Sequence, residues 1–291
     1  MSWRTVIISN TAKLDYKMDY MLIRQDKTTK IHLSEIAIVI IETTAVSMTA
    51  CLLCELIKHK VKVIFCDEKR NPSSELIGYY GSHDTSAKIR DQIKWTDEVK
   101  TLVWMEIVAE KIRKQRDFLI ELNKENEYAL LDSYLKDIKY NDSSNREGHA
   151  AKVYFNAVFG NDFSRAADIP INAALNYGYG IILSAFNREI AINGYLTQMG
   201  LFHDNMFNQF NLGSDLMEPF RILIDRCVYN MALEKFDHDE KLEIVDVLNK
   251  EIMIDGKHNY LINAIKIYVR SVFDAISEHD VSLIRFYRNE L

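Results

Sequence analysis

The pattern of apolar residues changes near residue 80 of this 291-residue chain. Before that point, short β-branched or aromatic runs alternate with turn-like or charged clusters, a pattern typical of strands in hairpins. These runs cover residues 5–8, 20–24, 36–41 and 61–65. Apolar residues recur every three or four positions over 48–58, which predicts one helix with Ser47 as a candidate N-cap. The first part of the chain is therefore predicted to be a small β domain with one helix.

Residues 68–86 contain Asn-Pro and Gly-Ser pairs and are the best candidate for a linker, although 76–80 could form a last strand. Beyond them, the absence of Pro and Gly over 87–124 predicts one long helix or two in sequence. Further helices are predicted at 128–139, 147–159, 172–193, 219–234, 239–250 and 261–277. The predicted fold class is α+β, with an N-terminal β domain (1–82) followed by a larger all-α domain (83–291).

The composition limits which classes of function are open to this chain. No apolar run approaches the roughly 18–20 residues that a membrane span needs, and the N-terminus lacks a signal-peptide core, so we expect a cytoplasmic protein. The four cysteines are expected to be free thiols, and the Cys51-x-x-Cys54 pair is expected to pack in the core because no second pair follows it. A net charge of −6 does not exclude DNA binding, which needs only a local basic face.

Four residues of the helical part are candidates for a metal site: Glu147, His203, Asp215 and Glu218. Asp215 and Glu218 are three positions apart, so they share a face if both are helical. One imidazole with two or three carboxylates is a mostly hard ligand set, which suits Mg²⁺ or Mn²⁺ better than structural Zn²⁺. The separations in the chain match no local metal motif, however.

The same residues also fit a purely structural interpretation. Ser144-x-x-Glu147 has the form of a capping box, and Asp215-x-x-Glu218 has the same form before Pro219. Carboxylates at helix N-termini are stabilised by the helix dipole in any case. Spacing alone leaves both interpretations open.

Two basic stretches could bind nucleic acid, but each also fits an ordinary structural role. Residues 111–116, KIRKQR, are predicted to lie on a solvated helix face with intrahelical ion pairs. Residues 285–288, Arg-Phe-Tyr-Arg, could bind a nucleic-acid backbone or simply tether the C-terminal tail. No P-loop, no GxGxxG after a strand and no GxSxG occurs, so nucleotide-binding and α/β-hydrolase functions have no support.

A resemblance to a known family rests on segments distributed along the whole chain. They are MSWRTVIISN, SNREGHAAKVYFNAVFG, INAALNYGYGIIL, GLFHDN and DLMEPFR, in this order. The chain resembles the CRISPR-associated adaptation integrases, the "Cas-one" family, and most closely their type II-A branch. Each segment alone is weakly specific, but the ordered set is highly specific.

The resemblance implies that Glu147, His203 and Glu218 are catalytic and bind a metal, Mg²⁺ or Mn²⁺, with Asp215 as a less certain fourth ligand. It also implies the reaction. The 3′-OH ends of a DNA fragment attack phosphodiesters at the edge of a CRISPR repeat, so that a new spacer is inserted during adaptation. The metal would orient the 3′ oxygen and stabilise the negative charge that develops. His203 could alternatively carry a proton to the leaving oxygen.

The resemblance also implies partners. They are double-stranded DNA (spacer precursor and repeat), a second copy of the chain and the companion protein Cas-two. Because exposed strand edges pair readily, we expect the β domain to supply the contact between the two copies. In the type II-A branch, the effector nuclease and a ring-forming accessory protein join them. Arg146, Lys152 and Arg221 flank the site and are expected to contact phosphates. Two other functions stay open: a metal-dependent, structure-selective endonuclease or resolvase, and a non-catalytic DNA-binding scaffold.

Overall fold

The computed structural model of the chain describes residues 2–78, 82–138 and 145–288. Its N-terminal part contains two four-stranded sheets and one helix, α1 (Ala50–Lys58). The strands are β1 (Arg4–Ile8), β2 (Ala12–Lys17), β3 (Tyr20–Arg24), β4 (Thr28–His32), β5 (Ile36–Ile41), β6 (Val46–Met48), β7 (Lys62–Cys66) and β8 (Pro72–Leu76). One sheet has the order β1-β5-β7-β8, and the other has the order β4-β3-β2-β6.

Strand β5 lies at the centre of the first sheet, parallel to both β1 and β7. All six of its residues are buried. Ala37, Ile38 and Ile40 pack into the core of the helical part, whereas Ile36 and Val39 pack into the core beneath the second sheet. A strand covered on both faces needs apolar residues throughout, which explains the continuous run.

Helix α1 differs in detail from its predicted form. Thr49, not Ser47, is the N-cap, because its side chain accepts a hydrogen bond from the backbone N–H of Leu52. The cysteines are free thiols as predicted, but Cys51 and Cys54 are exposed rather than packed in the core. That prediction was wrong because the amphipathic helix buries Leu52 and leaves both thiols on its outer face.

The rest of the chain is mostly helical. The helices are α2 (Thr85–Ile93), α3 (Asp97–Glu121), α4 (Glu125–Lys136), α5 (Arg146–Phe159), α6 (Pro170–Ile192), α7 (Asn211–Leu216), α8 (Arg221–Met231), α9 (His238–Asp246) and α10 (Leu261–Glu278). The stretch predicted as one helix or two is two, because Thr96 begins α3 as an N-cap that accepts from the N–H of Val99. Across the described residues, no helix combines the length and apolar character needed to cross a bilayer.

The predicted fold class, α+β with β structure first and helices after, is confirmed. The helical part also contains an antiparallel hairpin, β9 (Glu251–Ile254) and β10 (Lys257–Tyr260), which was not predicted. Asp255 and Gly256 form its two-residue turn with positive φ angles of 52° and 71°. An Asp-Gly pair directly after a short apolar run, here residues 252–254, is a hairpin signal, so the sequence did contain the information. The division at 82/83 stays a prediction, and Tyr79 and Tyr80 lie outside the described residues.

Candidate metal centre

A buried lysine lies at the centre of the predicted site. Lys111, in the middle of α3, places its Nζ 2.5 Å from Oε1 of Glu147 and 2.6 Å from Oε2 of Glu218. Its side chain is only 9% exposed. Residues far apart in the chain therefore contact one cationic group, which is the arrangement expected of carboxylates that share a cation.

Three segments of backbone bring these groups together. Glu147 is in the first turn of α5, and Glu218 begins the 3₁₀ turn Glu218–Phe220 that leads into α8. Helix α3 packs against both segments and supplies Lys111 between them. Ser144, the other half of the proposed capping box, lies outside the described residues. The residue before α5, Asn145, forms no side-chain cap and has a φ of 51°.

The electrostatics of Glu218 reflect its cationic neighbours. Its Oε1 accepts from Nε of Arg221 at 3.0 Å. Burial alone would raise the pKa of Glu218, but Arg221 and Lys111 outweigh burial and lower that pKa to about 2. Burial would also lower the pKa of Lys111, but Glu218 and Glu147 raise it instead. Oε2 of Glu218 lies 2.6 Å from Nζ of Lys111, so this oxygen already binds one cationic group.

His203 is held by Asp215. The Oδ1 atom of Asp215 lies 2.5 Å from Nδ1 of His203 and also accepts the backbone N–H of His203. The hydrogen bond that Nδ1 of His203 donates to Asp215 raises the pKa of His203 against the opposing effect of burial, and the nearby Glu218 and Glu147 raise it further. Binding Nδ1 fixes the ring and leaves Nε2 as the nitrogen that an ion would use, as in carboxylate–histidine–metal triads.

Asp215 itself is fully buried and its two oxygens are in use. Oδ2 accepts the backbone N–H groups of Leu201 and Phe202 at 2.6 and 3.1 Å. The close approach requires glycine at position 200, where a Cβ would lie 2.7 Å from Oδ2 of Asp215 and 2.4 Å from the carbonyl oxygen of His203. Asp215 is therefore placed to position His203, and it does not form the helix cap with Glu218 that its spacing suggested.

The donor set fits a hard divalent cation. Within the described ranges, no three or more His, Cys, Asp or Glu side chains are already grouped as a cation site. The Lys111 ammonium instead lies between the two carboxylates, and His203 is coupled electrostatically to both. Glu147, Glu218 and His203 offer two carboxylates and one imidazole, a set that suits Mg²⁺ or Mn²⁺.

The predicted phosphate contacts have different surroundings. Arg221 is paired with Glu218 and lies over the ring of Tyr179, 4.7 Å from its centroid. Arg146 is paired with Asp137 at 2.9 Å. Lys152, on α5, is exposed. Arg221 is therefore directly beside the site, and Lys152 is the one exposed to solvent.

The stretch 111–116 forms the predicted intrahelical ion pairs, from Arg113 and Lys114 to Glu110. Its assignment to a solvated face was wrong, because Lys111 and Lys114 are buried. Lys111 follows Ile107 by four positions and Val108 by three, so the helical period already placed it on the apolar side of α3. Its charge led to the wrong assignment. This buried lysine is the residue that sequence reasoning missed.

Lys114 holds the C-terminal segment in place. Its Nζ donates to the carbonyl oxygen of Tyr287 at 2.8 Å and lies 3.6 Å from the centroid of that ring. The buried Tyr287 hydroxyl donates to the carbonyl oxygen of Pro219 at 3.0 Å, next to Glu218. Of the two interpretations of residues 285–288, the contacts of Tyr287 favour the tether, which supports the backbone that carries Glu218.

A second buried carboxylate lies close to the site. Asp225, on α8, accepts hydrogen bonds from the hydroxyls of Tyr154 at 3.1 Å and Tyr179 at 2.5 Å. Burial raises the pKa of Asp225 to about 6, although these hydrogen bonds and Arg221 act in the opposite direction. Asp225 therefore binds α5 and α6 to α8 through neutral groups.

Comparisons with known proteins agree on one family. A family model described as CRISPR associated protein Cas1 matches residues 5–251. The CRISPR-associated endonuclease Cas1 of Neisseria meningitidis serogroup C (strain 8013) is 30% identical over 291 residues, covering 98% of this chain and 96% of the relative. The relative from Francisella tularensis subsp. novicida (strain U112) is 24% identical, covering 82% of each chain.

Solved structures share the fold. A structure described as a casposase bound to integration product has a TM-score of 0.75 at 19% identity, covering 97% of this chain and 93% of that chain. A Cas1 protein from Thermotoga maritima has a TM-score of 0.74 at 16% identity, covering 94% and 97%. A Cas6-RT-Cas1–Cas2 complex also has a TM-score of 0.75, at 17% identity, and this chain spans 36% of that longer chain.

Proposed function

The chain belongs to the Cas1 family of CRISPR-associated proteins, and on that basis we propose that it is a metal-dependent DNA integrase of CRISPR adaptation. In the proposed reaction, the 3′-OH ends of a DNA fragment attack phosphodiesters at the edge of a CRISPR repeat and join the fragment as a new spacer. We place the chain in the type II-A branch, as its sequence segments suggest, and expect it to act in the cytoplasm on the cell's own DNA.

One observation carries the proposal: the carboxylates of Glu147 and Glu218 contact the same buried cationic group. Two carboxylates in a poorly hydrated site repel each other strongly unless a cation lies between them. Lys111 supplies that cation here. We propose that a divalent ion takes its place in the active enzyme, held by Glu147, Glu218 and Nε2 of His203.

When bound, Mg²⁺ or Mn²⁺ would polarise the phosphodiester and lower the pKa of the attacking 3′-OH. The chain's residues do the rest. Asp215 fixes the ring of His203 through Nδ1 and three backbone N–H groups, so the imidazole needs little reorganisation. Arg221, beside Glu218, is placed to bind a phosphate oxygen. No protein nucleophile is required, because the 3′-OH belongs to DNA.

DNA binding then requires local positive charge on a chain with a net charge of −6. We propose that Arg221, Lys152 and Arg146 contact phosphates and thereby position the backbone without reading sequence. Lys111 is a fourth candidate, since a divalent ion between the carboxylates would displace its ammonium. Because each neutralised phosphate releases counterions, affinity should fall steeply as salt is raised.

The proposed partners follow from the family. A second copy of the chain would form a homodimer through the β domain, and Cas2 would join two such dimers. The shared fold with a chain of a Cas6-RT-Cas1–Cas2 complex supports this choice. The type II-A effector nuclease and its ring-forming accessory protein complete the proposal.

A second function is favoured by the description of the relatives from Neisseria and Francisella as endonucleases. The same side chains could activate water instead of a 3′-OH and hydrolyse branched DNA. A fragment with a 3′-dideoxy end distinguishes the two: an integrase gives no joined product from it, whereas a hydrolase still cuts. A non-catalytic scaffold would do neither.

The direct test is a strand-transfer assay with Glu147→Gln. The matched control is Glu125→Gln, because Glu125 is also in the first turn of a helix but is exposed. We expect Glu147→Gln to abolish transfer while DNA binding and the melting temperature change little, and Glu125→Gln to behave like the wild type. Normal transfer by Glu147→Gln would contradict the proposal.

A further inference from the structure

The loop that carries His203 has two strongly exposed apolar side chains at its tip. Met206 is 87% exposed and Phe207 is 86% exposed, more than the 77% of Met18 at the turn between β2 and β3. Apolar surface left in water is unfavourable by about 25 cal/mol per Å². Met206 and Phe207 are neighbours in the chain, and adjacent exposed apolar side chains of this size mark a contact surface better than a single one does. The question is what covers it.

The loop is firmly held on both sides of this tip. Before it, Phe202 stacks on the buried Trp104, with 4.7 Å between ring centroids and 4° between planes. After it, the side-chain amide of Asn211 donates to the carbonyl oxygens of Gln198 and Asn205, each at 3.1 Å. The anchors present the tip in a defined position.

The tip itself is also braced. Oδ1 of Asn205 accepts the N–H of Phe207 at 3.0 Å, and the carbonyl oxygen of Asn205 accepts the N–H of Asn208 at 2.9 Å. Oδ1 of Asn208 accepts the N–H of Phe210 at 2.9 Å. A pre-organised apolar tip loses little conformational entropy when it binds, which favours a functional contact.

Its place in the chain identifies the occupant. Met206 and Phe207 follow His203 by three and four residues, so they lie within about 14 Å of its Cα, the reach of four extended residues. A DNA strand advances 3.4 Å per nucleotide, so a strand reacting at His203 has about four nucleotides within that reach. Residues 204–210 contain no Lys or Arg, so the loop offers phosphates no charge-assisted contact. The apolar parts of DNA are the faces of its bases.

We propose that Phe207, supported by Met206, inserts between bases of the target duplex within about four nucleotides of the attacked phosphodiester. Unstacking there lets the strand bend towards Glu147, His203 and Glu218, as apolar wedges do in proteins that kink DNA. The inference rests on the proposed function, because it needs target DNA at His203. It adds a base-contacting residue to a site otherwise described by its metal and phosphate contacts.

The test compares Phe207→Ala with Phe207→Tyr on two targets, one fully paired and one with four mismatched pairs at the attacked position. We expect Phe207→Ala to lose about tenfold or more in strand transfer on the paired target, and Phe207→Tyr to retain activity, since base–aromatic stacking is the interaction lost. On the mismatched target, Phe207→Ala should return close to wild type. Ile93→Ala, at the end of α2, is the control for removing an exposed apolar side chain.

Equal activity of Phe207→Ala and wild type on the paired target would overturn the proposal, and so would equal losses on both targets. A change in oligomeric state caused by Phe207→Ala would also overturn it, by identifying a second copy of the chain as the occupant.

A second measurement separates this inference from the proposed function. A 2-aminopurine base within four nucleotides of the attacked position should become more fluorescent on binding wild type, and not on binding Phe207→Ala, whether or not any transfer occurs. Wild type that unstacks the probe but never joins DNA contradicts the integrase alone. Wild type that joins DNA without unstacking the probe contradicts the wedge alone.

Discussion

Two buried carboxylates on the same stretch of chain show how differently this protein compensates charge. Glu218 contacts two cations, Lys111 and Arg221, and its pKa is lowered to about 2. Asp225 accepts from two tyrosine hydroxyls, and burial raises its pKa to about 6. Both are nearly or fully inaccessible to water, so the neighbours and not the burial set the difference.

The difference separates a site from a structural clamp. An ammonium between carboxylates can be replaced by another cation, because the replacement preserves the charge balance. Hydroxyls around a carboxylate offer no such exchange, and a metal at Asp225 would break two hydrogen bonds that join α5, α6 and α8. The central claim is therefore that the cluster around Glu218 exchanges its cation for a divalent ion, whereas the cluster around Asp225 only holds helices together.

The largest expected contrast is in catalysis. Glu218→Gln should lower strand transfer by about 1000-fold or more, since it removes a ligand of an ion that supplies several kcal/mol of transition-state stabilisation. Asp225→Asn keeps its size and an accepting oxygen, so its transfer rate should stay within about threefold of wild type. Similar losses in the two variants would remove the distinction between site and clamp.

The next contrast concerns Lys111, whose ammonium occupies the place proposed for the divalent ion. Lys111→Met leaves two carboxylates without their shared counterion, which should lower the free energy of unfolding by about 3 kcal/mol in EDTA. Saturating Mn²⁺ should then stabilise Lys111→Met more than wild type, because no ammonium has to be displaced. Denaturant unfolding with and without Mn²⁺ measures both effects.

Lys114→Met is the control, since Lys114 is buried on the same helix but pairs with Glu110 and the tail. If Mn²⁺ raised the free energy of unfolding equally in wild type, Lys111→Met and Lys114→Met, the exchange of Lys111 for a metal would be contradicted.

The pH dependence of stability has opposite signs at the two carboxylates. Asp225 has a folded-state pKa of about 6, above its ordinary 3.8, so the native state holds its proton more tightly and stability falls as the pH rises from 4 to above 6. The full effect is about 2 to 3 kcal/mol at 1.36 kcal/mol per pKa unit. Glu218, with a pKa of about 2, contributes stability above pH 4.5 that is lost as the pH falls towards 2.

Unfolding free energies of wild type and Asp225→Asn, measured from pH 4 to 7, isolate the first effect. The free energy of unfolding of wild type, minus that of Asp225→Asn, should decrease as the pH rises through this range. A constant difference across these pH values would show that Asp225 does not titrate as described.

The smallest contrast is between holding a metal and positioning its ligand. Asp215→Asn should weaken Mn²⁺ binding by about 10- to 100-fold, the usual effect of losing a carboxylate that orients a ligating histidine. Transfer should recover as Mn²⁺ is raised, whereas Glu218→Gln should not recover. Calorimetric titration with Mn²⁺ measures the affinity, and an unchanged affinity would contradict the positioning role.

The fold was largely predictable because its signals are local. The apolar, β-branched residues of β5 and the long Pro- and Gly-free stretch of α2 and α3 each indicate their structure within a short window. The hairpin of β9 and β10 was missed although the Asp255-Gly256 pair indicates a turn. Strand β4, with the sequence Thr-Thr-Lys-Ile-His, was missed because it buries little and is defined by pairing with β3.

The candidate site was less predictable because it depends on packing between distant segments. No spacing rule joins Glu147, His203 and Glu218, so only resemblance to a family singled them out. Lys111 escaped notice because charge usually indicates exposure, and its burial depends on two carboxylates from other segments. Asp215 was taken for a helix cap or a ligand, since its three backbone donors become adjacent only when the loop before α7 folds over it.

The most direct test of the central claim is an anomalous-difference map from crystals of the protein soaked in Mn²⁺. The account predicts one strong peak bounded by Glu147, Glu218 and Nε2 of His203, with the Lys111 ammonium moved from between the carboxylates and with Asp225 still bound to its two tyrosines. A map without a peak there, with Lys111 still contacting both carboxylates at saturating Mn²⁺, would contradict it.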